Sequence, residues 1–256
     1  MTAPLTVLVV GATGSIGRLV VAEAIGQGYT TRALVRDPSK GRQLPADAQL
    51  VVGNVTRPGT LPAAVGGVDA VVLTLGSGKV GAETIDYGGV RNVLAAVGGR
   101  EVRIALMTSI GVTDRTGAYN RSTQAHDWKR RSERLVRASG HPYTIVRPGW
   151  FDYNAPDQQR LTLLQGDTRH AGDSSDGVIA RPQIAQVLVA SLASDAANRK
   201  PSSSSPSMAR HLRSSIPCSA SSNRTGRGVL TASTTVTTCR RWTSRNAYGT
   251  TSKELF

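Results

Sequence analysis

The sequence is short of the residues and segments that several classes of protein need. Its only cysteines, Cys218 and Cys239, lie near the end, so the first 199 residues offer no thiol, and neither a disulfide framework nor a zinc site is indicated. No apolar run approaches the ~18 residues of a membrane helix. The N-terminus has no basic segment before its four-residue apolar run, unlike a signal peptide. We therefore expect a cytoplasmic protein with no membrane partner and no metal.

Acidic residues are scarce in the last part of the chain. Residues 1–199 carry 22 basic and 16 acidic side chains, whereas residues 200–256 carry nine basic and one acidic. More than half of the net charge of +14 therefore lies in that last segment. Its basic residues are scattered, and its only aromatic residues are Trp242, Tyr248 and Phe256. Nucleic-acid sites cluster their positive charge and stack bases on aromatic rings, so nucleic-acid binding is not predicted.

From Leu5 to Ala193, short β-branched runs alternate with longer amphipathic ones. The predicted strands cover residues 5–10, 30–36, 49–52, 69–75, 102–107 and 143–147. The predicted helices cover residues 15–27, 58–66, 81–98, 122–139 and 181–194. Strands that are apolar throughout are buried on both faces, and helices between parallel strands form right-handed crossovers. The sequence predicts an α/β fold with a doubly wound parallel sheet, a Rossmann fold, in a single domain over residues 1–199.

The composition changes abruptly at Lys200. Residues 200–256 contain 13 Ser and 9 Thr and show no sustained period of two or 3.6. One interpretation is a disordered basic tail. The other is a frameshift product, because a one-nucleotide shift after back-translation gives a strand-like TFELV where the sheet should place its last strand. On that interpretation we expect the present chain to leave a sheet edge and the packing surface of helix 181–194 exposed.

A glycine-rich loop, GATGSIG, joins the first predicted strand to the first predicted helix. Glycines at this spacing let the chain turn tightly and bring its backbone N–H groups close to a pyrophosphate, whose charge the helix N-terminus stabilises. The residues predicted to bind here are Gly11, Thr13, Gly14, Ser15, Ile16 and Gly17. The loop therefore predicts a dinucleotide cofactor.

Arg36 ends the second predicted strand, 19 residues after Gly17. A carboxylate at this place would bind the ribose 2′-hydroxyl of NAD, whereas an arginine suits the 2′-phosphate of NADP. Lys40 adds positive charge nearby. The predicted cofactor is NADP rather than NAD. In the alternative, Arg36 is only a solvent-exposed residue at a strand end and Asp37 takes the ribose.

Eight segments stand in an order that resembles a known family. They read GATGSIG, ALVRDPSK, VVGNV, LTLGSG, YGGVRNVLAA, MTSIGV, HDWKRRSERLVRASG and YTIVRPGW. Together they resemble an atypical short-chain dehydrogenase/reductase, of the NAD(P)H-binding branch that includes NmrA-like regulators and the biliverdin-IXβ and flavin reductases. The resemblance covers about residues 5–199 and implies the same Rossmann fold.

The resemblance implies contacts to the adenosine half of the cofactor. Asn54 and Val55 match the segment that lies against the adenine, with Asn in place of the usual Asp. An amide can still hydrogen-bond an adenine edge. Thr74, Leu75 and Gly76 match the stretch that lines the adenosine ribose and the phosphates.

The resemblance also implies contacts to the nicotinamide half. Ser109 matches the serine that faces the nicotinamide and the substrate carbonyl, and Lys129 matches the lysine that binds the nicotinamide ribose. Pro148 and Gly149 match the loop whose backbone touches the carboxamide. In the alternative, Ser109 only caps nearby backbone and Lys129 lies on a solvated helix face.

The departure from the family pattern is Ala125. Complete members have a tyrosine four residues before the lysine, on the same helix face, where it exchanges a proton with the substrate oxygen. Alanine cannot do so. Tyr119, His126 and Asp127 are near enough in sequence to reach the site, and His126 is the best titratable candidate. The predicted catalytic residues are therefore Ser109, Lys129 and His126.

The missing tyrosine disfavours an alcohol dehydrogenase. An electron-poor conjugated acceptor can take its proton from water, so the resemblance implies an NADPH-dependent oxidoreductase that reduces a small conjugated acceptor such as a flavin or quinone. The aromatic residues Trp150, Phe151 and Tyr153, which with Asp152 follow the RPG turn, either stack on a flat acceptor or only cover the sheet. The alternative function is a non-catalytic NADP(H)-binding redox sensor of NmrA-like type, which would act on a protein partner.

Overall fold

The computed structural model describes residues 4–78, 80–153, 161–195, 197 and 228–232, and for residues 165 and 228–232 only the backbone. Its strands are β1 (Thr6–Val10), β2 (Thr30–Val35), β3 (Gln49–Val52), β4 (Ala70–Leu73), β5 (Arg103–Met107), β6 (Tyr143–Pro148), β7 (Trp150–Phe151), β8 (Leu161–Gln165), β9 (Val178–Ile179) and β10 (Gly228–Ala232). Its α-helices are α1 (Gly17–Gly26), α2 (Pro62–Val65), α3 (Gly88–Val97), α4 (Ala118–Thr123), α5 (Ala125–Ala138) and α6 (Arg181–Ala193). A π-helical turn covers Ala82–Tyr87, and 3₁₀ turns cover Pro38–Gln43, Pro58–Thr60 and Ser174–Asp176.

Six parallel strands form the main part of the sheet, in the order β3-β2-β1-β4-β5-β6. All six were predicted from the sequence, and their order confirms the doubly wound Rossmann fold. The chain starts in the middle of the sheet, so that β2 and β4 lie on opposite sides of β1. The loops that leave β1 and β4 therefore diverge at the carboxyl ends of these strands, and such a reversal opens a crevice where ligands bind.

Helices cover both faces of the sheet because the side chains of each strand alternate between the faces. From β1, Val7 and Val9 pack in the layer that contains α1 and α6, whereas Leu8 and Val10 pack in the layer that contains α2, α3 and α5. All four side chains are fully buried. Burial on both faces is why these strands read as continuous apolar runs rather than alternating ones.

The turn after helix α1 contains a glycine in the left-handed backbone conformation. Gly28 has a φ of +81°, its N–H donates to Ile25 O, and the N–H of Tyr29 donates to Ala24 O. This pair of bonds is a Schellman motif, in which a left-handed residue satisfies the last carbonyl groups of a helix. The motif turns the chain directly into β2 and so fixes α1 against the sheet behind the glycine-rich loop.

Three predicted helices are interrupted, so their predicted boundaries are wrong. The predicted helix 122–139 is divided at Gln124. This residue has a left-handed φ of 54°, and it lies between the end of α4 and the start of α5. Residues 81–98 begin with the π-helical turn before α3. In 58–66, a 3₁₀ turn precedes the single turn of α2, because Pro62 has no N–H and can stand only in the first turn of a helix.

Within the tail, residues 228–232 form β10, and the prediction for the tail as a whole stays a prediction. This strand runs antiparallel beside β6 and parallel beside β8, so it covers the sheet edge that we expected to be exposed. The expectation of an exposed surface on α6 is also wrong, because Ile184, Leu188 and Leu192 are buried. The remainder of the tail, with both cysteines, lies outside the described residues, and the frameshift hypothesis stays a prediction.

Among the residues that the structure describes, no helix has the length and apolar character needed to cross a membrane. The predicted cytoplasmic location stays a prediction.

Candidate functional site

Two spaces open above the carboxyl ends of the parallel strands, and they share Leu75 and Gly76 as walls. The first, which we call the glycine-loop cleft, lies over β1 and β2 and has a volume of about 1230 Å³. The second, which we call the Ser109 cavity, lies over β5 and β6 and has a volume of about 670 Å³. Both volumes are large enough for part of a dinucleotide or a small organic ligand.

Close packing fixes the shape of the glycine-rich loop. Gly11 has a φ of +87°, and a Cβ at this position would lie 2.9 Å from Thr74 O. A Cβ on Gly17 would lie 2.0 Å from Gly11 O, so the first turn of α1 rests directly on the loop backbone. The N–H of Gly14 donates to Gly11 O over 2.9 Å and closes the turn. Only glycine fits at these contacts, which is the reason for the spacing in the sequence.

Most residues predicted to bind the adenosine half line the glycine-loop cleft. They are Gly11, Thr13, Gly14, Arg36, Asn54, Val55, Thr74, Leu75 and Gly76. Ser15 is exposed beside the loop, and Ile16 and Gly17 are buried under it at the start of α1. These last two position the loop rather than form its surface. The Asn54 carboxamide oxygen accepts hydrogen bonds of 3.0 Å from both the N–H and the hydroxyl of Thr56 and so shapes the next turn.

Positive side chains gather at one end of the glycine-loop cleft. Arg36, Lys40 and Arg42 all line it. The acidic residue there, Asp37, accepts a 2.9 Å hydrogen bond from the N–H of Ser39 and caps the 3₁₀ turn. Hydrogen bonds from Ser39 hold the pKa of Asp37 below its usual range. The carboxylate that was the alternative ribose ligand is therefore already engaged with its own turn.

The Ser109 cavity contains three buried polar atoms that have no hydrogen-bond partner within the part of the chain that the structure describes. They are Asp86 Oδ1, Ser109 Oγ and His126 Nδ1. Its other walls are largely apolar and include Met107, Pro148 and Gly149. Because the Ser109 hydroxyl makes no bond to nearby backbone, the alternative that it serves as a cap does not hold. Buried polar atoms are nearly always paired, so three in one cavity indicate a site for a polar ligand.

Lys129 reaches across the junction of the two spaces. Its Nζ donates to Leu75 O over 3.3 Å and lies 3.5 Å from Asp86 Oδ1. The Lys129 side chain is only 15% exposed, so the alternative of a solvated helix face does not hold. The lysine is held at the wall that both spaces share.

Asp86 was missed by the sequence reasoning. It lies in the π-helical turn and accepts a 2.8 Å hydrogen bond from the Ser77 hydroxyl, while its backbone carbonyl accepts one of 2.6 Å from Ser132. The available signal was periodic, because Asp86 precedes Val90 by four residues and Val93 by seven, on the buried face of a predicted helix. π-helical turns often occur at functional sites.

The segment that replaces the catalytic tyrosine also lines the Ser109 cavity. Ala125 begins α5 and is buried against the cavity. The His126 ring packs against the Tyr119 ring in a tilted arrangement, with ring centroids 5.2 Å apart. Both residues line the cavity. Asp127 is not among the lining residues and instead forms an ion pair with Arg115 over 3.1 Å. Of the three residues that could have compensated for the missing tyrosine, the structure brings Tyr119 and His126 to the cavity.

The environment of His126 determines the charge of its imidazole ring. Burial is the main cause that lowers the pKa of its imidazole below the usual 6.5, partly offset by a hydrogen bond to the Asp114 backbone. The ring is therefore neutral near neutral pH, and its Nδ1 lies in the cavity wall without a hydrogen-bond partner among the described residues.

A buried ion pair supports the floor of the cavity. Glu133 accepts hydrogen bonds of 2.8 and 2.6 Å from the Arg147 guanidinium and one of 2.8 Å from the Thr108 hydroxyl. Burial alone would lower the pKa of Arg147, but the hydrogen bonds and charge of Glu133 raise it above its usual value. Both side chains were missed by the sequence reasoning, although a charged residue inside the apolar strand β6 was a visible signal.

The aromatic residues after the RPG turn lie at the mouth of the cavity. Trp150 and Phe151 line it, and they form β7, which pairs with β9. The Arg181 guanidinium lies 5.4 Å from the Phe151 ring centroid and forms an ion pair with Asp152. Trp150 and Phe151 therefore belong to the sheet and also line the cavity, and stacking of their rings on an acceptor stays a prediction.

Comparison with known proteins agrees with this geometry. A family model described as NAD(P)H-binding matches residues 11–195. An NAD(P)H azoreductase of Xenophilus azovorans is 33% identical over 149 residues, which cover 58% of this chain and 49% of the azoreductase. An uncharacterized chloroplastic protein of Arabidopsis thaliana is 28% identical over 217 residues, 75% of this chain and 66% of that protein. The chain thus spans about half to two thirds of the length of these curated relatives.

Solved structures share the fold. An anaerobillin reductase, ChuY, of Escherichia coli O157:H7 superposes with a TM-score of 0.59 at 23% identity, covering 75% of this chain and 92% of that one. The NADPH complex of the quinone oxidoreductase QOR2 of Escherichia coli superposes with a TM-score of 0.56 at 20% identity, covering 76% and 66%. The predicted Rossmann fold and the NAD(P)H-binding part of the resemblance are confirmed, and because the family model matches residues 11–195, this chain belongs to the NAD(P)H-binding family.

Proposed function

We propose that the protein is an NADPH-dependent oxidoreductase that reduces a small conjugated acceptor, such as a quinone or a flavin. The observation that carries this proposal is the pair of buried polar atoms Ser109 Oγ and His126 Nδ1, which have no hydrogen-bond partner among the described residues, together with Asp86 Oδ1, whose one ion-pair partner there is Lys129 at 3.5 Å. A flat conjugated molecule with a few polar atoms would satisfy them while its rings bury against the apolar walls.

The position of the cavity beside the glycine-loop cleft supports a shared reaction site. A dinucleotide with its pyrophosphate at the glycine loop would run past Leu75 and Gly76, the walls common to both spaces, toward Lys129. Its nicotinamide would then lie at the entrance of the Ser109 cavity. An acceptor in the cavity would be next to the carbon that gives up hydride.

Each predicted catalytic residue receives a role under this proposal. NADPH, when bound, supplies a hydride. The Ser109 hydroxyl donates a hydrogen bond to the acceptor oxygen, on which charge develops. Lys129, held by Asp86 and Leu75 O, binds the ribose hydroxyls and places the nicotinamide. His126 was the titratable candidate from the sequence, but because its ring is neutral we assign it to orienting the acceptor through a hydrogen bond at Nδ1.

The preference for NADPH over NADH rests on the charge at the adenosine end. Arg36, Lys40 and Arg42 line that part of the cleft, and the nearby carboxylate of Asp37 caps its own turn. A 2′-phosphate would bring negative charge among the three cations, and Arg presents a planar fork that matches phosphate oxygens. A bare 2′-hydroxyl would leave them without an anion.

The class of acceptor is supported by the shape of the cavity and by the similar proteins. Trp150, Phe151 and Tyr119 place aromatic surface around a space of about 670 Å³. Two of the similar proteins are named an NAD(P)H azoreductase and an NADPH-dependent quinone oxidoreductase. Both names describe reduction with the same type of cofactor, which supports a reductase here.

The proposal is tested by binding and by turnover on the full chain. Fluorescence titration should give tighter binding of NADPH than of NADH, and NADPH oxidation should be stimulated by at least one member of a panel of quinones and flavins. Ser109→Ala should lower kcat while it leaves the NADPH affinity unchanged, and Ser139→Ala, on the far end of α5, should change neither. Failure to bind either nucleotide would refute the proposal.

A second candidate is a non-catalytic redox sensor that binds NADP(H) and acts on a protein partner. The observation that favours it is Ala125, which puts a methyl group in the cavity wall where the complete family members have a phenol. Tight NADPH binding without oxidation by any acceptor would support the sensor. Turnover with a quinone or flavin would exclude it as the sole function.

A further inference from the structure

A histidine that the proposed function does not use also lines the Ser109 cavity. His170 lies in the loop after β8, and its Nε2 is 3.2 Å from the Thr113 hydroxyl and 3.5 Å from Asp167 Oδ2. The His170 side chain is 39% exposed, so it contacts both the cavity and the solvent. Neither His170 nor Asp167 belongs to a motif that the sequence reasoning identified.

Asp167 is built into the wall as a fixed carboxylate. Its side chain is 1% exposed and accepts hydrogen bonds from the N–H of Gly111 (2.9 Å), the N–H of Thr113 (2.8 Å) and the Thr113 hydroxyl (2.8 Å). A carboxylate that accepts several such bonds is held in one orientation. The turn that holds it follows Ser109 directly in the chain, so the Asp167 carboxylate is anchored to the loop that carries the Ser109 hydroxyl.

The other charged and titratable groups near His170 are few. Asp114 lines the same wall, with its carboxylate engaged by Thr116 and Gly117, and its charge interacts with His170. His126 lies on the other side of Gly111, where its ring carbon would be 3.6 Å from a Cβ on that glycine. A third carboxylate, that of Asp176, lines the same cavity and accepts hydrogen bonds from the N–H groups of Ala171 and Gly172, directly after His170. An imidazole fixed by a carboxylate on one nitrogen offers its other nitrogen for proton transfer.

We propose that His170, held by Asp167, is the proton donor of the reduction and that the substrates are acceptors that gain this proton on an oxygen or nitrogen, with quinone-type carbonyls as the chemical class. The inference rests on the proposed reductase function and assigns the proton that Ala125 cannot supply. We do not assign this role to His126, because burial lowers the pKa of its imidazole and so disfavours the charged form that would donate the proton.

The step balances in atoms and charge. Hydride transfer from NADPH forms a new bond on the acceptor and moves an electron pair of its conjugated system onto the acceptor oxygen. The protonated His170 ring gives its N–H proton to that oxygen, which forms an O–H bond and leaves a neutral imidazole. The ring then takes a proton from water on its exposed side, so that NADPH, acceptor and one proton become NADP⁺ and the reduced acceptor.

The test compares His170→Ala and His170→Gln with the wild-type chain across a series of quinones. The loss in kcat should be about hundredfold, within the range for a positioned general acid, for electron-rich quinones whose reduced oxygens are strong bases. It should shrink toward none for electron-poor quinones, whose reduced oxygens hold little affinity for a proton. The Kd for NADPH should not change. Thr168→Ala, an exposed neighbour in the same loop, is the matched control and should behave as wild type.

Chemical rescue separates a proton donor from a structural residue. Free imidazole should restore part of the turnover of His170→Ala, in which the ring has left a gap, and little of that of His170→Gln. A loss that is the same for every quinone and that imidazole does not rescue would overturn the inference. Turnover by the wild type with an unaffected His170→Ala overturns this inference alone, whereas NADPH binding with no turnover on any acceptor overturns it together with the proposed function.

Discussion

The glycine-loop cleft and the Ser109 cavity adjoin each other but are built in different ways. The cleft is lined by residues from the first 85 of the chain, mostly at the turns between successive elements, and Gly11 and Gly14 of the glycine-rich loop are among them. The cavity takes its walls from segments far apart in the chain, among them Asp86, Lys129 and His170. The first site is a property of local backbone conformation, and the second is a property of tertiary packing.

This difference shows where each kind of chemistry comes from. A loop that presents N–H groups to a pyrophosphate needs a short turn and a following helix, which one segment of sequence can encode. A cavity with single polar atoms at chosen points needs side chains from several elements and a support that keeps them in place. In this chain that support is buried and charged, since Glu133 joins Arg147 of β6 to Thr108 after β5.

The largest effect should come from removing the support under the cavity. Glu133→Ala leaves the buried Arg147 guanidinium without its carboxylate and should lower the free energy of unfolding by about 3–5 kcal/mol. Asp195→Asn, which breaks the surface pair with Arg103, is the control and should cost at most about 0.5 kcal/mol, because Asp195 is 93% exposed. Urea denaturation measures both. Equal losses would show that the assembled cavity does not depend on its buried ion pair.

The next effect concerns the local construction of the cleft. Gly17→Ala would place a methyl group 2.0 Å from Gly11 O, so the backbone must shift, at a cost of about 1–3 kcal/mol, and NADPH affinity should fall. Gly26→Ala, at the other end of α1, meets no atom within 4 Å and should stabilise the protein by about 0.4–1 kcal/mol. Thermal denaturation and NADPH titration measure both variants. Equal stability and equal NADPH affinity of the two would contradict the conclusion that the cleft depends on the local backbone packing at Gly17.

A smaller effect tests what the cleft selects. Arg36→Ala should weaken NADPH binding about tenfold, or about 1.4 kcal/mol, and leave NADH binding unchanged, because the arginine contacts only the 2′-phosphate under our proposal. Arg91→Ala removes an exposed arginine from α3 and should alter neither affinity. Fluorescence titration with both nucleotides measures the effect. A parallel loss of NADH affinity would mean that Arg36 has no role in choosing the cofactor.

The smallest effect is a pH dependence of stability that arises in the cavity. Burial lowers the pKa of His126 below 6.5 in the folded chain, so below about pH 6.5 the unfolded chain binds more protons and stability falls as the pH falls. His126→Gln should remove this part of the slope. His141, whose pKa is also lowered mainly by burial, should still contribute its own part. Urea denaturation at a series of pH values checks the prediction, and an unchanged slope would contradict it.

More of the cleft than of the cavity could be predicted from the sequence, because the cleft is encoded by local signals and the cavity by contacts between distant segments. Strand runs, the glycine spacing and Arg36 are local signals that survive folding unchanged. The backbone break at Gln124 and the strand at residues 228–232 depend on packing partners elsewhere and gave no local period. Asp167 bonds to Gly111 across 56 residues, a contact that no single segment of the sequence encodes.

Lys129 was found, whereas Asp86 and His170 were not. Lys129 lies in a segment that matches the family pattern, so its position at the cavity could be predicted from the sequence. The other two acquire a role only when the π-helical turn and the loop after β8 fold against the cavity. A single acidic residue in a helix or a single histidine in a loop does not indicate a function from the sequence. Their spatial neighbours must be known first.

Leu75 and Gly76 form walls of both spaces, so under the proposed function the nucleotide and the acceptor would meet at this boundary and their affinities would be linked. Whatever factor a bound nucleotide applies to the affinity for the acceptor, a bound acceptor must apply to the affinity for that nucleotide. Oxidised and reduced nucleotide differ by a positive charge at the ring nearest this boundary. An acceptor that prefers one of them therefore retains it in the cleft by the same free energy, and its own concentration sets which form the protein holds.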